Sequence, residues 1–164
     1  MALLALVREK PISAITIGEL TGKAGVSRMT FYRNYTSKEE ILLSHIKEIL
    51  EEYRKDDERL TDEGRFYDKK RIRHGFSYFS QYKEFVHTLI TCGFSDLFLR
   101  ELTAFALDKW LDDKSDEAER YTLVSFIGIL CNCYLSWIQT DQNLTIDVLT
   151  DIIFSICDNA YGTK

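Results

Sequence analysis

Hydrophobic positions recur at three- and four-residue spacing along most of the chain, the period of helices with one buried face. Residues 2–9 predict a short helix stopped by Pro11, and residues 12–15 link it onward. Thr16-Ile17-Gly18-Glu19 has the form of a capping box, in which the hydroxyl covers the first turn and Glu19 reaches back to the threonine N–H. Ile17, Leu20 and Ala24 then share one face of a short helix that Gly25 ends. Val26 is placed to fill the inside of the turn. Ser27 is placed to cap a second short helix over 28–34, which buries Phe31 and turns Tyr35 inward. Ser37-Lys38-Glu39-Glu40 repeats the box and opens a long helix to about residue 56, with Ile41, Leu42, Ile46, Ile49, Leu50 and Tyr53 in helical register. The charged stretch 54–64 predicts a loop or helix break.

Further helices are predicted over about 65–82, 84–91, 95–111, 116–139 and 146–160. Thr145 is a good N-cap for the last, with Asp147 in its first turn. Segment 121–139 is apolar almost all round (Leu123, Val124, Phe126, Ile127, Ile129, Leu130, Tyr134, Leu135, Trp137, Ile138) and predicts a helix covered on several sides. The last helix carries a stripe of Leu149, Ile152, Ile153, Ile156 and Ala160. The expected fold is all-α: a three-helix head, residues 1–47, joined by a long helix to a helical bundle, residues 48–164.

Composition supports this reading. At 45% hydrophobic and 29% charged over 164 residues, the chain can bury a core, and a single proline, Pro11, leaves the helices uninterrupted. No apolar run is expected to reach the ~18–20 uncharged residues of a membrane span. The start MALLALVREKP is short and lacks a basic flank, so neither a signal peptide nor a membrane partner is expected. Cys92, Cys131, Cys133 and Cys157 lie in apolar helical surroundings without a CxxC pair, as buried reduced thiols do. A net charge of −5 alone argues against a nucleic-acid binder, but its distribution reverses the argument. Residues 1–47 hold seven Lys/Arg against four Asp/Glu, a net +3; residues 48–164 hold fourteen against twenty-two, a net −8. A basic head on an acidic body suits a protein whose one end meets phosphate.

Two short helices, a tight turn and an apolar lock are what placing one helix in a major groove requires. Ile17, Leu20, Ala24, Val26, Phe31 and Tyr35 supply the lock. Arg28, Met29, Thr30, Tyr32, Arg33 and Asn34 are left outward, and they offer guanine- and adenine-reading groups, thymine-methyl contacts and a hydroxyl for phosphate. Outside this motif, Arg28 and Arg33 would be ordinary surface charges and Tyr32 a packing tyrosine.

The segment ITIGELTGKAGVSRMTFYRNYTSKEEIL, residues 15–42, closely resembles the DNA-binding segment of the TetR/AcrR family of bacterial repressors. The turn GVSR, the pair Phe31-Tyr32 and the start SKEE fall together in register, over roughly residues 1–50. The resemblance implies a homodimer paired through its last two helices, a double-stranded DNA operator, and a small-molecule effector that releases it. It assigns Thr16, Ser27, Tyr32 and Lys38 to phosphate and turns Arg28, Met29, Thr30, Arg33 and Asn34 to the groove. It makes Lys38 the point where ligand-driven tilting is felt, and it implies a cytoplasmic repressor with no catalytic residue and no cofactor. Two features depart from the family pattern. The chain starts almost inside the first helix, where relatives carry a longer helix and often a basic arm, and Met29 stands where a small residue is commoner.

Candidate effector-pocket residues are Phe79, Tyr82, His87, Trp110, Phe126 and Tyr134, drawn from aromatics that otherwise fill a core and from polar-tipped side chains. The basic run Lys69-Lys70-Arg71-Ile72-Arg73 predicts a solvated helix face. His45, His74 and His87 have no metal-ligand spacing, and neither a Gly-rich phosphate loop, HExxH nor GxSxG occurs, so enzyme and metal readings fare poorly. The alternative from another class is a regulator whose C-terminal domain binds a partner protein in place of a metabolite.

Overall fold

The structure, a computed structural model, describes residues 2–60, 65–140 and 143–162. Its described residues form nine α-helices: α1 Ala2–Val7, α2 Ile17–Ala24, α3 Arg28–Asn34, α4 Lys38–Asp57, α5 Lys69–Ser80, α6 Lys83–Thr91, α7 Ser95–Trp110, α8 Glu117–Gln139 and α9 Ile146–Tyr161. A 3₁₀ turn, Ile12–Ala14, links α1 to α2. The boundary expected at residue 47 falls inside α4.

The head closes around Leu3, Leu6, Ile15, Leu20, Phe31, Leu42 and Ile46, all buried. Burying each such side chain contributes about 1.5–3 kcal/mol before entropy is counted. In the body α5 lies along α9 and α7 along α8, while α4 touches both α5 and α7. Head and body meet where α1 touches α6 and where the His45 ring packs edge-on against Phe85.

Several expectations need correction. Helix α4 ends at Asp57, close to the expected end near 56, but residues 54–57 of the loop or break expected over 54–64 are helical, because Tyr53 and Asp57 extend the buried face; residues 61–64 lie outside the described residues. Segment 121–139 does have a polar face: Ser125, Asn132, Ser136 and Gln139 form an exposed row beside the buried Leu123, Phe126, Ile127 and Trp137. The chain also holds an uncharged run from Tyr121 to Thr140, contrary to expectation, and α8 is long and apolar enough to cross a membrane by length and composition. In this fold its apolar side packs on α7 and α6. On α9 the buried face is Leu149, Thr150, Ile153 and Cys157, whereas Ile152, Ile156 and Ala160 are exposed. The basic run on α5 is split. Lys69 and Arg73 reach across the surface to Asp151 and Asp147 of α9, at 2.6 and 2.5 Å, while Arg71 turns inward. Exposed pairs of this kind are worth about 0–1 kcal/mol.

Candidate nucleic-acid interface

The two short helices of the head are set by local hydrogen bonds. Thr16 Oγ1 accepts from the Glu19 N–H at 3.2 Å, and Glu19 Oε2 accepts from the Thr16 N–H at 2.8 Å, closing the predicted box. The Lys10 ammonium bonded to Glu19, the Thr16 N–H and the Thr16 hydroxyl together hold the Glu19 carboxyl down at about 2. Gly25 ends α2 at φ 67°, a left-handed conformation that leaves its N–H and that of Val26 bonded to carbonyls of the last turn. Val26 does not fill the inside of this turn: it is 45% exposed, since Leu20 and Phe31 already occupy the space between the helices. Ser27 Oγ then accepts from the Thr30 N–H at 3.0 Å and opens α3.

Helix α3 buries Phe31, and Tyr35 tilts toward it with ring centroids 6.0 Å apart. Everything the sequence placed outward on α3 is exposed except Thr30, which is half-buried beside Ser27. Met29 is 82% and Tyr32 62% exposed. The Asn34 amide donates back to the Thr30 carbonyl at 2.7 Å, which leaves its oxygen outward. Arg28 lays its guanidinium over Gly18, beside the start of α2, where a Cβ would stand only 2.6 Å from Nη2.

The cations from α1 to α3 divide into two groups. Arg8, Lys10 and Lys23 pair with Glu84, Glu19 and Glu9. Arg28 and Arg33, on α3, have no acidic partner among the described residues. Lys38 is engaged in another way: its ammonium donates to the carbonyls of Ile12 and Ile15 at 2.6 and 2.7 Å, fastening the start of α4 to the 3₁₀ turn and leaving one N–H. The second capping box closes one residue early. Ser37 Oγ covers the Glu40 N–H, but Glu40 reaches back to Thr36 and not to Ser37. Two arginines without an acidic partner among the described residues, on an exposed helix capped at its start by Ser27, present the kind of donors that phosphate and base edges take.

The family model for bacterial regulatory proteins of the tetR family matches residues 2–44, which is this head. The chain carries the DNA-binding head of the tetR family of regulators. It is therefore a DNA-binding transcriptional regulator with a helix-turn-helix head. No curated protein matches it.

Behind the regulator's head, α4, α5, α7 and α8 surround a cavity of about 80 Å3. Of the six pocket candidates, Phe79, Trp110, Phe126 and Tyr134 line it. Tyr82 and His87 do not. Tyr82 sits in the turn before α6 and donates to Glu52 at 3.2 Å, and His87 occupies the solvent side of α6, whose buried face is Phe85, Val86, Thr88 and Leu89. Tyr134 spends its hydroxyl proton on the Phe79 carbonyl at 2.8 Å, and burial pushes its pKa well up. The sequence reading missed the polar corner: buried Asp57 on α4, with Arg71 of α5 at 2.9 Å and Lys109 of α7 on the same carboxylate oxygen. One signal was present. Asp57 continues the stripe Ile46, Leu50, Tyr53 at helical spacing and so stands on the buried face. Burial raises the thiol pKa values of Cys131 and Cys157 to about 11, which makes them poor nucleophiles.

Proposed function

We propose that this regulator is a cytoplasmic homodimeric repressor that leaves its operator when a small-molecule effector enters the cavity. Its working parts are a DNA-binding domain over residues 1–47 and an effector and dimerisation domain over 48–164. Two copies pair through α8 and α9 and set their α3 helices in successive major grooves of a pseudo-palindrome, about 34–36 Å apart. The observation that carries the reading is the course of α4. It begins at Lys38, fastened to the head, and ends at Asp57 in the cavity wall. Whatever parts the cavity walls therefore moves the head, provided the effector favours the parted state. Exposed Val148, Ile152 and Ile156 on α9 support pairing, because monomers rarely leave such a row in water.

On the DNA, Thr16, Ser27, Tyr32 and the remaining N–H of Lys38 serve phosphate, while Arg28, Met29, Thr30, Arg33 and Asn34 face the groove. The test is binding to DNA from the gene's own upstream region, at two salt concentrations, with an unrelated fragment as control. Specific binding weakens steeply with salt, and Arg28→Ala lowers affinity about tenfold to a hundredfold. Unchanged affinity in both Arg28→Ala and Tyr32→Phe sinks the contact assignment, and a stable monomer in equilibrium sedimentation removes the dimer.

A second reading is favoured by the cavity's size. At about 80 Å3 it is smaller than the few hundred Å3 of most metabolite sites. A partner protein docking on the body would then replace the effector, and a screen in which no small molecule releases DNA would select this reading.

A further inference from the structure

The cavity has an aromatic body and a charged corner. Rings of Phe66, Phe76, Phe79, Phe98, Phe105 and Phe126 line it. Its charged residues, among those described, are Asp57, Arg71 and Lys109, one anion facing two cations. Both cations converge on Asp57 Oδ2, and the Arg71 guanidinium lies 4.6 Å from the Trp110 ring centroid. The side chains of Arg71 and Lys109 are only 10% and 14% exposed, so their charges are poorly screened. A cationic ligand entering here meets two like charges at close range. A carboxylate meets an arginine fork that matches its geometry and a second donor beside it. The Tyr53 hydroxyl, on the same wall, makes no hydrogen bond among the described residues and is a further donor to an anion.

We propose that the effector is a small carboxylate with an apolar, ring-bearing body, its anion held by Arg71 and Lys109 in competition with Asp57. This rests on the ligand-release reading above. Competition supplies the coupling. Asp57 is the last residue of α4, and it and the Arg54–Asp108 pair at 2.7 Å tie that helix to α7. An apolar cavity of about 150 Å3 holds benzene, and this one, at about 80 Å3, takes up a whole ring as its walls part. Taking the cations from Asp57 loosens the end of α4 as the ligand enters, and binding and head movement become one event.

The experiment uses the full chain with benzoate, phenylacetate and octanoate, each beside its matched alcohol and amine. Binding is read by thermal shift and by release of operator DNA. At least one carboxylate binds about tenfold or more tightly than its alcohol and amine. Lys109→Gln lowers carboxylate affinity about tenfold and leaves the alcohol's unchanged, while Lys109→Arg restores it. Asp57→Asn acts in the opposite direction, tightening carboxylate binding and weakening DNA binding without ligand, a pattern that a merely structural role for the corner does not give. An alcohol or amine that binds as well as its carboxylate and releases DNA overturns the anion assignment and leaves ligand response standing. Silence from all three classes, with operator binding intact, overturns both. Carboxylate binding that is indifferent to Lys109→Gln overturns the site.

Discussion

In the head, the starts of α2, α3 and α4 are each closed by a side chain three residues from the N–H it covers: Thr16 to Glu19, Ser27 to Thr30, Ser37 to Glu40. In the body, the polar corner of the cavity is assembled from residues 14 and 52 positions from Asp57. The first kind of construction fixes a rigid element and leaves its outer side chains free for DNA. The second depends on three helices remaining close, and a competing anion undoes it. The proposed recognition surface is thus locally determined and stiff, and the proposed effector site is determined by tertiary packing and separable.

The largest effect that tests this contrast is loss of a ring in each region. Phe31 and Phe98 are 5% and 2% exposed. Replacing either with alanine costs about 3–5 kcal/mol, measured by urea unfolding. Phe31→Ala removes the lock between α2 and α3 and abolishes operator binding. Phe98→Ala enlarges the cavity, admits bulkier ligands and leaves DNA affinity of the folded protein within about threefold. Equal loss of DNA binding in both, with the fold intact, means that head and body are not separable in this way.

The joint between them comes next. Lys38→Met removes two charge-assisted hydrogen bonds to the Ile12 and Ile15 carbonyls and costs about 1.5–3 kcal/mol. DNA binding weakens, and the difference in affinity with and without effector shrinks, because α4 no longer pulls on the head. A variant that binds DNA weakly but responds fully puts Lys38 on phosphate alone. Gly25→Ala is smaller, about 1–2 kcal/mol, for placing a Cβ at φ 67°. Its cost falls on DNA affinity and melting temperature together, and an unchanged melting temperature denies that this turn limits the head.

This contrast also governs what could be read without coordinates. Caps, the Gly25 turn and the lengths of α2 to α4 follow from signals a few residues apart, and the structure reproduces them except in the second box, where Glu40 returns to Thr36. Where reading failed, a second element decided the outcome. Val26 has the right chemistry for the inside of the turn, but Phe31 reaches it from α3. Arg71 belongs to a run that looks solvated, yet Asp57 and Trp110 draw it inward from helices α4 and α7. Ile152 and Ile156 fit an apolar stripe whose buried edge proves to be Thr150 and Cys157, a difference of one step around α9. Pocket residues were legible as aromatic but not as neighbours, so Tyr82 and His87 were grouped with Phe79 and Trp110 although neither lines the same cavity.

The smallest prediction concerns acid. Glu19 titrates at about 2 in the folded head against an ordinary 4.5, chiefly through its bond to Lys10 and then through the Thr16 N–H and hydroxyl. A depressed carboxylate stabilises the fold above its unfolded pKa, and that contribution is lost as pH falls from 4.5 toward 2. Glu19 is fully exposed, so the effect is modest, and the share due to Lys10 fades with added salt while the capping bonds persist. Urea midpoints taken at pH 5, 4 and 3 should fall less steeply in Glu19→Gln than in the parent chain. Asp147 is lowered too, by Arg73 of α5, so Asp147→Asn gives the matching control in the body. If Glu19→Gln falls as steeply as the parent and Asp147→Asn does not, the acid-sensitive bond lies between α5 and α9, and the capping box of the head is not what protons break first.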